Sequence, residues 1–310
     1  MQAVVIGASG FIGSHLVDGL LEVGHLVRAV VRDGHGPGLI SKQALEASGL
    51  TLYTADMAEV EPLCQALAGA DVVFHLANGS LPQSSNRDPA RDVQINLLGG
   101  LNVLEAARQV GAGRLVLLSS GGTVYGVPKQ VPIPEDHATN PICSYGITKL
   151  ALEKYVALYE QLHGLKGLVL RVANPYGERQ RLDSAQGVVP AFMARALRNE
   201  PLEIWGDGST VRDFLYISDV VRALLAVANY EGSERVFNIG SGEGTSLDEL
   251  VRLLEEELGY SLAVRYKPSR GFDVPTNVLS IDATRRCLGW SPSVSVSDGL
   301  HRLHQSLRTL

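Results

Sequence analysis

Two tyrosines are each followed four positions later by a lysine, a pairing that can serve acid–base chemistry. Tyr145 and Lys149 begin a stretch of helical periodicity, in which this spacing puts both side chains on one face, about 5–6 Å apart at Cβ. A glycine and a proline lie between Tyr125 and Lys129, so that pair cannot occupy a helix interior. A free tyrosine has a pKa of about 10, and an adjacent ammonium group lowers it toward neutrality. Standing alone, such a pair is more often an amphipathic surface pair.

A glycine-rich turn near the start of the chain is the second chemical feature. Gly7, Gly10 and Gly13 directly follow the apolar run AVVI and begin an amphipathic helical pattern. Dinucleotide sites need this order, because a strand and a tight turn then aim the amides of a helix N-terminus at a pyrophosphate. The spacing is GxxGxxG rather than GxGxxG, and by itself it also fits an ordinary strand–helix connection. Its βαβ context favours a nucleotide cofactor.

The end of the second predicted strand bears on the type of cofactor. In NAD sites an acidic residue there accepts a hydrogen bond from the ribose 2′-hydroxyl. This chain instead has Val31, followed by Arg32 and Asp33. Arg32 could pair with a 2′-phosphate and favour NADP, or it could stack on the adenine while Asp33 binds the ribose. We predict NAD as the cofactor, with NADP as the alternative.

Short apolar runs alternate with segments of helical periodicity through the first half of the chain. The predicted strands are 3–6, 26–31, 51–54, 72–76, 114–119 and 167–172, and the helical patterns are 11–23, 58–68, 89–109 and 144–163. Continuous β-branched runs indicate strands covered on both faces, hence a parallel sheet of βαβ units. We predict an α/β fold, a Rossmann-type doubly wound parallel sheet with a smaller mixed α/β C-terminal substrate domain. The predicted dinucleotide-binding domain is 1–173 plus 213–238, and the substrate domain is 174–212 plus 239–310.

Composition excludes several classes of protein. Of the 310 residues, 45% are hydrophobic and 19% are charged, as in globular proteins. A formal net charge of −6 without a basic run argues against nucleic-acid and membrane-surface partners. No apolar stretch approaches the ~18 residues of a membrane span. Three widely spaced cysteines predict reduced thiols and no metal site. We expect a cytoplasmic protein.

Several segments together resemble the extended short-chain dehydrogenase/reductase family, and within it the NAD-dependent epimerase/dehydratase family, most of all its UDP-glucose and UDP-N-acetylglucosamine 4-epimerases. The resemblance covers essentially the whole chain. The segments that carry it are GASGFIG (7–13), Asp56, HLAN (75–78), Asn96, SSGGTVYG (119–126), SYGITK (144–149), RVANPYG (171–177), GDGSTVRDFLY (206–216) and RGFDVP (270–275). It implies an enzyme that acts on a nucleotide sugar, and a homodimer formed through helices 89–109 and 144–163.

The resemblance also implies which residues contact the cofactor and the substrate. Cofactor contacts are expected at Gly7, Gly10, Phe11, Ile12, Gly13, Asp56, Met57, Leu76, Ala77, Asn96, Ser119, Tyr145 and Lys149. Substrate contacts are expected at Asn174, Arg212, Arg270 and Asn277. The two arginines resemble groups that bind the diphosphate, since a guanidinium donates in pairs to phosphate oxygens, although each could instead form a surface ion pair. Tyr145 and Lys149 meet the nicotinamide, whose positive charge further favours the phenolate.

The residues before Val-Tyr-Gly indicate the type of reaction. Family members that dehydrate or decarboxylate carry an acidic residue there, where this chain has Gly121, Gly122 and Thr123. That difference implies redox chemistry at one carbon, as in a 4-epimerase or a ketoreductase. The epimerases usually place a Ser or Thr hydroxyl at the position of Gly121, so either Thr123 or Ser120 is expected to supply it. The predicted catalytic residues are Tyr145, Lys149 and Thr123.

The resulting prediction is a nucleotide-sugar 4-epimerase, acting on a UDP-hexose or a UDP-N-acetylhexosamine by transient oxidation at C4 with bound NAD. Asn277 matches a sugar-facing gate position and, being smaller than tyrosine, slightly favours acetylated sugars. One alternative is an NADPH-dependent 4-ketoreductase of a 4-keto-6-deoxy nucleotide sugar, which Val31 and Arg32 favour. Another is a non-catalytic dinucleotide-binding sensor, against which the intact Tyr145 and Lys149 argue. The residues leave the sugar, the nucleotide base and the oligomeric state open.

Overall fold

The central element is a seven-stranded sheet in which all neighbouring strands are parallel. A computed structural model describes residues 1–32, 36–182, 187–269 and 274–308. The strands are β1 (Gln2–Ile6), β2 (Leu26–Val31), β3 (Leu50–Thr54), β4 (Val72–His75), β5 (Arg114–Ser120), β6 (Lys166–Val172), β7 (Asn174–Tyr176), β8 (Leu202–Trp205), β9 (Val211–Arg212), β10 (Phe214–Tyr216), β11 (Val236–Ile239), β12 (Thr245–Ser246), β13 (Val264–Lys267) and β14 (Thr276–Asn277). The order in the large sheet is β11-β6-β5-β4-β1-β2-β3, so its direction of winding reverses between β1 and β4. The predicted doubly wound, Rossmann-type sheet is confirmed.

Strand β1 shows why these segments form a sheet covered on both faces. Ala3 and Val5 belong to one hydrophobic cluster, whereas Val4 and Ile6 belong to another. Successive side chains of a strand point to opposite faces, so an uninterrupted apolar run supplies both cores at once. The run AVVI therefore anchors the middle of the sheet.

Helices cover both faces of the large sheet. They are α1 (Phe11–Glu22), α2 (Lys42–Glu46), α3 (Val60–Leu67), α4 (Pro82–Ser85), α5 (Pro89–Asp92), a π-helix (Val93–Leu98), α6 (Gly99–Gln109), α7 (Ser144–His163), α8 (Val188–Leu197), α9 (Ile217–Ala228), α10 (Leu247–Leu258), α11 (Asp282–Leu288) and α12 (Val296–Arg308). Helices α1 and α9 pack together in one cluster, and α3, α6 and α7 belong to the other. None of the helices in the described ranges is both long and apolar enough to cross a bilayer.

The helical pattern predicted over 89–109 is divided in the structure. It begins as α5, where the Asp88 side chain accepts a hydrogen bond from the Arg91 amide and Pro89 occupies the first turn. It then widens into the π-helix before continuing as α6. Such wide turns occur frequently at functional sites. Here the turn contains Asn96, whose side chain bonds to Asp92 and to the backbone of Gly79.

The second half of the chain returns to the large sheet before forming shorter strands. Helix α9 packs against α1, and β11 pairs with β6 at the sheet edge. Smaller sheets are formed by β7 with β10, by β12, β9 and β14, and by β8 with β13. The division into domains at 173, 212 and 238 stays a prediction.

Candidate functional site

A large cavity, ≈ 1190 Å³ in volume, opens at the carboxyl ends of the central strands. Its wall includes the turn after β1, the ends of β2 and β5, and the segment after β4. Doubly wound sheets bind ligands at this edge, where the winding direction reverses. The residues predicted from sequence that line it are Gly7, Gly10, Phe11, Ile12, Gly13, Arg32, Asp56, Met57, Leu76, Ala77, Ser119, Ser120, Thr123, Tyr145, Lys149 and Asn174.

The glycine turn leaves room for a ligand because side chains are excluded from it. Gly7 has φ +89°, and a Cβ there would lie 2.7 Å from the backbone nitrogen of Ala77. A Cβ on Gly13 would lie 2.1 Å from the Gly7 carbonyl oxygen. Gly10 caps α1 without any side-chain hydrogen bond. The first amides of α1 therefore face the cavity edge, an arrangement that suits the pyrophosphate of a dinucleotide.

The side of the cavity where the sequence predicts the adenine is formed by the ends of β2 and β3. Arg32, Asp56 and Met57 line it, and the Asp56 carboxylate accepts a hydrogen bond from the Ala58 amide at 2.8 Å. Asp33, the alternative ribose ligand, lies outside the described residues. The choice between the two interpretations of Arg32 stays a prediction.

Tyr145 and Lys149 lie together on the first turns of α7, as their spacing predicts. The Lys149 Nζ atom is 5.8 Å from the centre of the Tyr145 ring and donates a hydrogen bond to the Leu118 carbonyl oxygen at 2.9 Å. Burial lowers the pKa of Lys149 to about 8, against the opposite effect of the Glu153 and Asp92 carboxylates. The ammonium is therefore available to stabilise negative charge at neutral pH.

The pKa of Tyr145 differs from the expectation based on its neighbour. Burial raises that pKa above the usual value, the nearby Cys143 and Asp92 side chains raise it further, and a hydrogen bond with Ser120 opposes the increase. The desolvation of the phenol is the largest of these effects. Tyr145 is consequently protonated at neutral pH until a further positive charge enters the cavity.

The loop after β5 explains the missing hydroxyl at position 121. A Cβ on Gly121 would lie 2.5 Å from Leu279 Cδ1 and 3.1 Å from the Arg171 carbonyl oxygen, so a side chain at this position requires the Leu279 side chain to move. Two residues later, Thr123 Oγ1 is buried at the cavity without a hydrogen-bond partner in the described structure. Buried hydroxyls are almost always bonded, so an unpartnered hydroxyl on a residue that lines the cavity is a candidate for a ligand contact.

Three predicted site residues are described but do not line the cavity. Asn96 lies behind the wall, where its Oδ1 accepts a hydrogen bond from the Gly79 amide at 2.8 Å. Asn277 is 2% exposed and donates to the Gly121 carbonyl oxygen at 3.1 Å, so it supports the loop instead of facing the open cavity. Arg212 donates to the Val274 carbonyl oxygen at 2.7 Å. Arg270 lies outside the described residues, and the substrate contacts of Arg212, Arg270 and Asn277 stay predictions.

Sequence reasoning missed one wall of the cavity, formed by residues 78–95. Ser84, Arg91 and Gln94 line it. The only local signal is Asp88-Pro89, a helix-start signature that could have placed α5. Within the described ranges, no group of three or more His, Cys, Asp or Glu side chains could hold a metal ion.

Comparison with known proteins places the chain in a family. Residues 3–240 match the model of the NAD dependent epimerase/dehydratase family. The chain is 39% identical to a Thermotoga maritima UDP-glucose 4-epimerase solved with UDP-glucose, with a TM-score of 0.92 over 100% of this chain and 99% of that one. A Thermus thermophilus UDP-glucose 4-epimerase solved with NAD is 33% identical, with a TM-score of 0.89 over 99% of both chains. An Escherichia coli dTDP-4-dehydro-6-deoxyglucose reductase is 35% identical over 237 residues, which are 76% of this chain and 74% of that protein.

The match to the family model extends over the glycine turn, the loop after β5 and the Tyr145–Lys149 pair. The cradle of amides after β1 and the unpartnered Thr123 hydroxyl fit a dinucleotide and a polar substrate in one cavity. Motifs, fold and cavity thus lead to one conclusion: the chain is an NAD-dependent enzyme that belongs to the epimerase/dehydratase family.

Proposed function

We propose that this enzyme is a nucleotide-sugar 4-epimerase acting on a UDP-hexose or a UDP-N-acetylhexosamine. The observation that carries the proposal is the unpartnered Thr123 hydroxyl, which shares one cavity with Tyr145, Lys149 and the glycine turn. Such a cavity can hold a dinucleotide and a sugar hydroxyl beside a proton acceptor. The similar Thermotoga maritima enzyme, solved with UDP-glucose, supports the choice of a UDP-linked sugar.

In the proposed mechanism, Tyr145 moves the proton of the sugar C4 hydroxyl. A dinucleotide held by the glycine turn would supply the hydride chemistry at C4, and the charge of its nicotinamide would favour the phenolate form of Tyr145. Lys149 keeps a positive charge beside the phenolate, and Thr123 or Ser120 holds the C4 oxygen by a hydrogen bond. After oxidation the keto sugar turns its other face, so the returning hydride inverts C4 and Tyr145 gives the proton back.

The loop after β5 favours epimerisation over elimination or decarboxylation. Gly121, Gly122 and Thr123 carry no carboxyl group, so the loop offers no second acid or base beside Tyr145. The nearest atoms to a Cβ built on Gly122 are 3.9 Å away or more, which leaves this part of the cavity open. Open space suits a pyranose that must turn between the two hydride transfers.

The competing function is an NADPH-dependent 4-ketoreductase of a 4-keto-6-deoxy nucleotide sugar. It is favoured by Arg32 on the cavity wall and by the similarity to the Escherichia coli reductase. The two functions differ in stoichiometry, because a reductase consumes one NADPH for each product while an epimerase regenerates its NAD in every turnover.

An assay without added cofactor distinguishes the two functions. Purified protein is incubated, without added oxidant or reductant, with UDP-glucose, UDP-galactose, UDP-N-acetylglucosamine and UDP-N-acetylgalactosamine, and the products are separated by anion-exchange chromatography. Interconversion of one pair, together with NAD in the acid extract of the protein, is the expected result. Failure on every pair, with oxidation of added NADPH by a 4-keto-6-deoxy sugar nucleotide, would establish the reductase instead.

We also propose that the enzyme forms a homodimer through the outer face of α7. Ile147, Tyr155, Leu158 and Leu162 are exposed there at near-helical spacing, beside exposed Leu98 at the end of the π-helix. A stripe of this kind is typical of an interface between helices. Sedimentation equilibrium is expected to give twice the chain mass, and Leu158→Glu is expected to lower it to the monomer.

A further inference from the structure

The first turn of α7 is held by side chains from a distant part of the chain. Cys143, at the N-cap position, makes no side-chain cap. Instead the Ser144 amide donates to Asn86 Oδ1 at 2.9 Å, and the Tyr145 amide donates to Ser85 Oγ at 3.0 Å. The first amides of a helix need partners from outside the helix, and here α4 and the residue after it supply them. The position of Tyr145 therefore depends on residues nearly sixty positions earlier.

One buried carboxylate joins this turn to the cavity wall. Asp92 is 2% exposed, and its Oδ2 accepts hydrogen bonds from Ser144 Oγ at 2.7 Å and from Thr148 Oγ1 at 3.1 Å. Its Oδ1 accepts from Asn96 Nδ2 at 2.7 Å and from the Ser80 hydroxyl. A carboxylate has about four lone-pair sites, which matches these four donors. The Thr148 hydroxyl also lies within hydrogen-bond distance of the Tyr145 carbonyl oxygen, at 2.9 Å, so its single hydrogen is shared between helix and carboxylate.

We propose that Asp92 is a positioning residue that locks the first turn of α7, and with it Tyr145, to the Gly79–Ser80 segment of the cavity wall. The inference rests on the proposed epimerase function, in which Tyr145 moves the C4 proton. Ser144 and Thr148 lie on either side of Tyr145 in sequence, so both of the Asp92 bonds to α7 restrain that part of the helix. Asp92 does not line the cavity and acts only through its neighbours.

The negative charge of Asp92 affects the pKa of Tyr145, which can be measured. The titratable groups facing Tyr145 or Lys149 are Asp92, Cys143, Glu153 and His75. Among them, Asp92 raises the pKa of both Tyr145 and Lys149. Removing its charge while keeping its shape is therefore expected to lower the pKa of Tyr145. Variants that loosen the same turn but keep the charge, Ser144→Ala and Thr148→Val, separate this electrostatic effect from better hydration of the phenol.

The experiment compares Asp92→Asn with Asp219→Asn in the full-length, NAD-loaded enzyme. Asp219 is also a buried carboxylate, and it accepts hydrogen bonds from the Ser293 and Val294 amides away from the cavity. Asp92→Asn is expected to lower kcat by about 10- to 100-fold, because a misplaced catalytic group reacts slowly. It is also expected to move the rising limb of kcat against pH to lower pH, whereas Asp219→Asn leaves that limb in place. An unmoved limb, or a wild-type kcat, in Asp92→Asn would overturn the proposal.

Two milder variants cover the case in which Asp92→Asn does not fold. Ser144→Ala and Thr148→Val each remove one bond to the carboxylate but keep its charge, so kcat is expected to fall with the pH limb unchanged. Wild-type kcat in both would overturn the inference. If the wild-type enzyme epimerises no UDP-sugar, the proposed function fails, and the inference is tested by ultraviolet titration of the Tyr145 phenolate with Tyr145→Phe as the blank. A lower pKa in Asp92→Asn supports it, and an unchanged pKa overturns it.

Discussion

The cofactor end and the tyrosine end of the cavity are built in different ways. At the cofactor end the backbone forms the site: Gly7, Gly10 and Gly13 lie within seven residues and form the turn among themselves. At the tyrosine end side chains form it: the Tyr145 amide donates a hydrogen bond to Ser85 Oγ, and the hydroxyls of Ser144 and Thr148 donate to Asp92. The first construction is local in sequence, whereas the second joins segments more than fifty residues apart.

Because of this difference, substitutions at the two ends of the cavity are expected to impair the enzyme in different ways. A backbone cradle fails by steric exclusion, because any added side chain meets backbone atoms that cannot move far. A network of side chains fails gradually, because each lost hydrogen bond loosens the geometry without closing the site. Variants at the two ends should therefore separate cofactor retention from turnover.

The largest effect is expected for Tyr145→Phe, which removes the proton acceptor and leaves the glycine turn intact. General acid–base groups contribute about 10²- to 10⁴-fold, so kcat should fall by that factor. NAD should still be retained, as measured by its absorbance in the acid extract. Activity near the wild-type level would contradict the role of Tyr145. Retention of NAD by a wild-type protein that turns over no sugar nucleotide would favour the sensor alternative.

Gly13→Ala is expected to have the opposite effect: the loss of NAD, with the tyrosine end of the cavity left intact. Its Cβ would lie 2.1 Å from the Gly7 carbonyl oxygen, so the turn must shift and NAD should be lost on purification. Overpacking of this kind costs roughly 1–3 kcal/mol in the free energy of unfolding. Gly19→Ala is the matched control, because it adds the same methyl group to α1 away from the cavity, where its Cβ would meet Val221 Cγ1 at 2.7 Å. Equal NAD content in Gly13→Ala and wild type would show that the turn does not bind the dinucleotide.

A smaller effect is expected for Thr123→Val, which tests the hydroxyl left free at the tyrosine end. The loss of one hydrogen bond to the substrate should lower kcat/KM by about 10- to 100-fold. The melting temperature should not fall, because the deleted hydroxyl has no partner in the described structure. Thr123→Ser, which keeps the hydroxyl, should retain most of the activity. Wild-type activity in both variants would assign the role to Ser120, and equal losses in both would contradict a role for the Thr123 hydroxyl.

The smallest effect is expected for the buried His75, on the pH dependence of the free energy of unfolding. Burial, with a smaller effect of Lys149, lowers its pKa to about 3. Between its ordinary value near 6.5 and 3, the unfolded chain binds a proton that the folded chain does not, so stability falls as the pH falls through this window. The slope from this residue is at most about 1.4 kcal/mol per pH unit. His75→Gln should flatten the pH dependence of the urea midpoint in that range, and an unchanged slope would contradict it.

The sequence predicts the glycine turn, whose residues are close together in the chain, far better than the hydrogen bonds that hold Tyr145 from distant segments. The glycine turn, the parallel sheet and the Tyr145–Lys149 pair all follow from short-range spacing and periodicity, and the structure brings them together. Asp92 and Ser85 have no local pattern that reveals their role, because their partners on α7 are 52 to 60 residues away. The inward position of Asn277 likewise depends on the pairing of β14 with β9.

Because a side chain at position 121 would contact Leu279, the residues tolerated at these two positions depend on each other. Leu279 is fully buried with Val124, Tyr125 and Ile133, and its side chain occupies the volume that a residue larger than glycine at 121 would need. Gly121→Ser alone should therefore be harmful, and it should become tolerable once Leu279 is shortened to alanine. A hydroxyl at position 121 instead of 123 is thus expected to need a compensating change more than 150 residues away, so the effects of substitutions at the two positions should be epistatic.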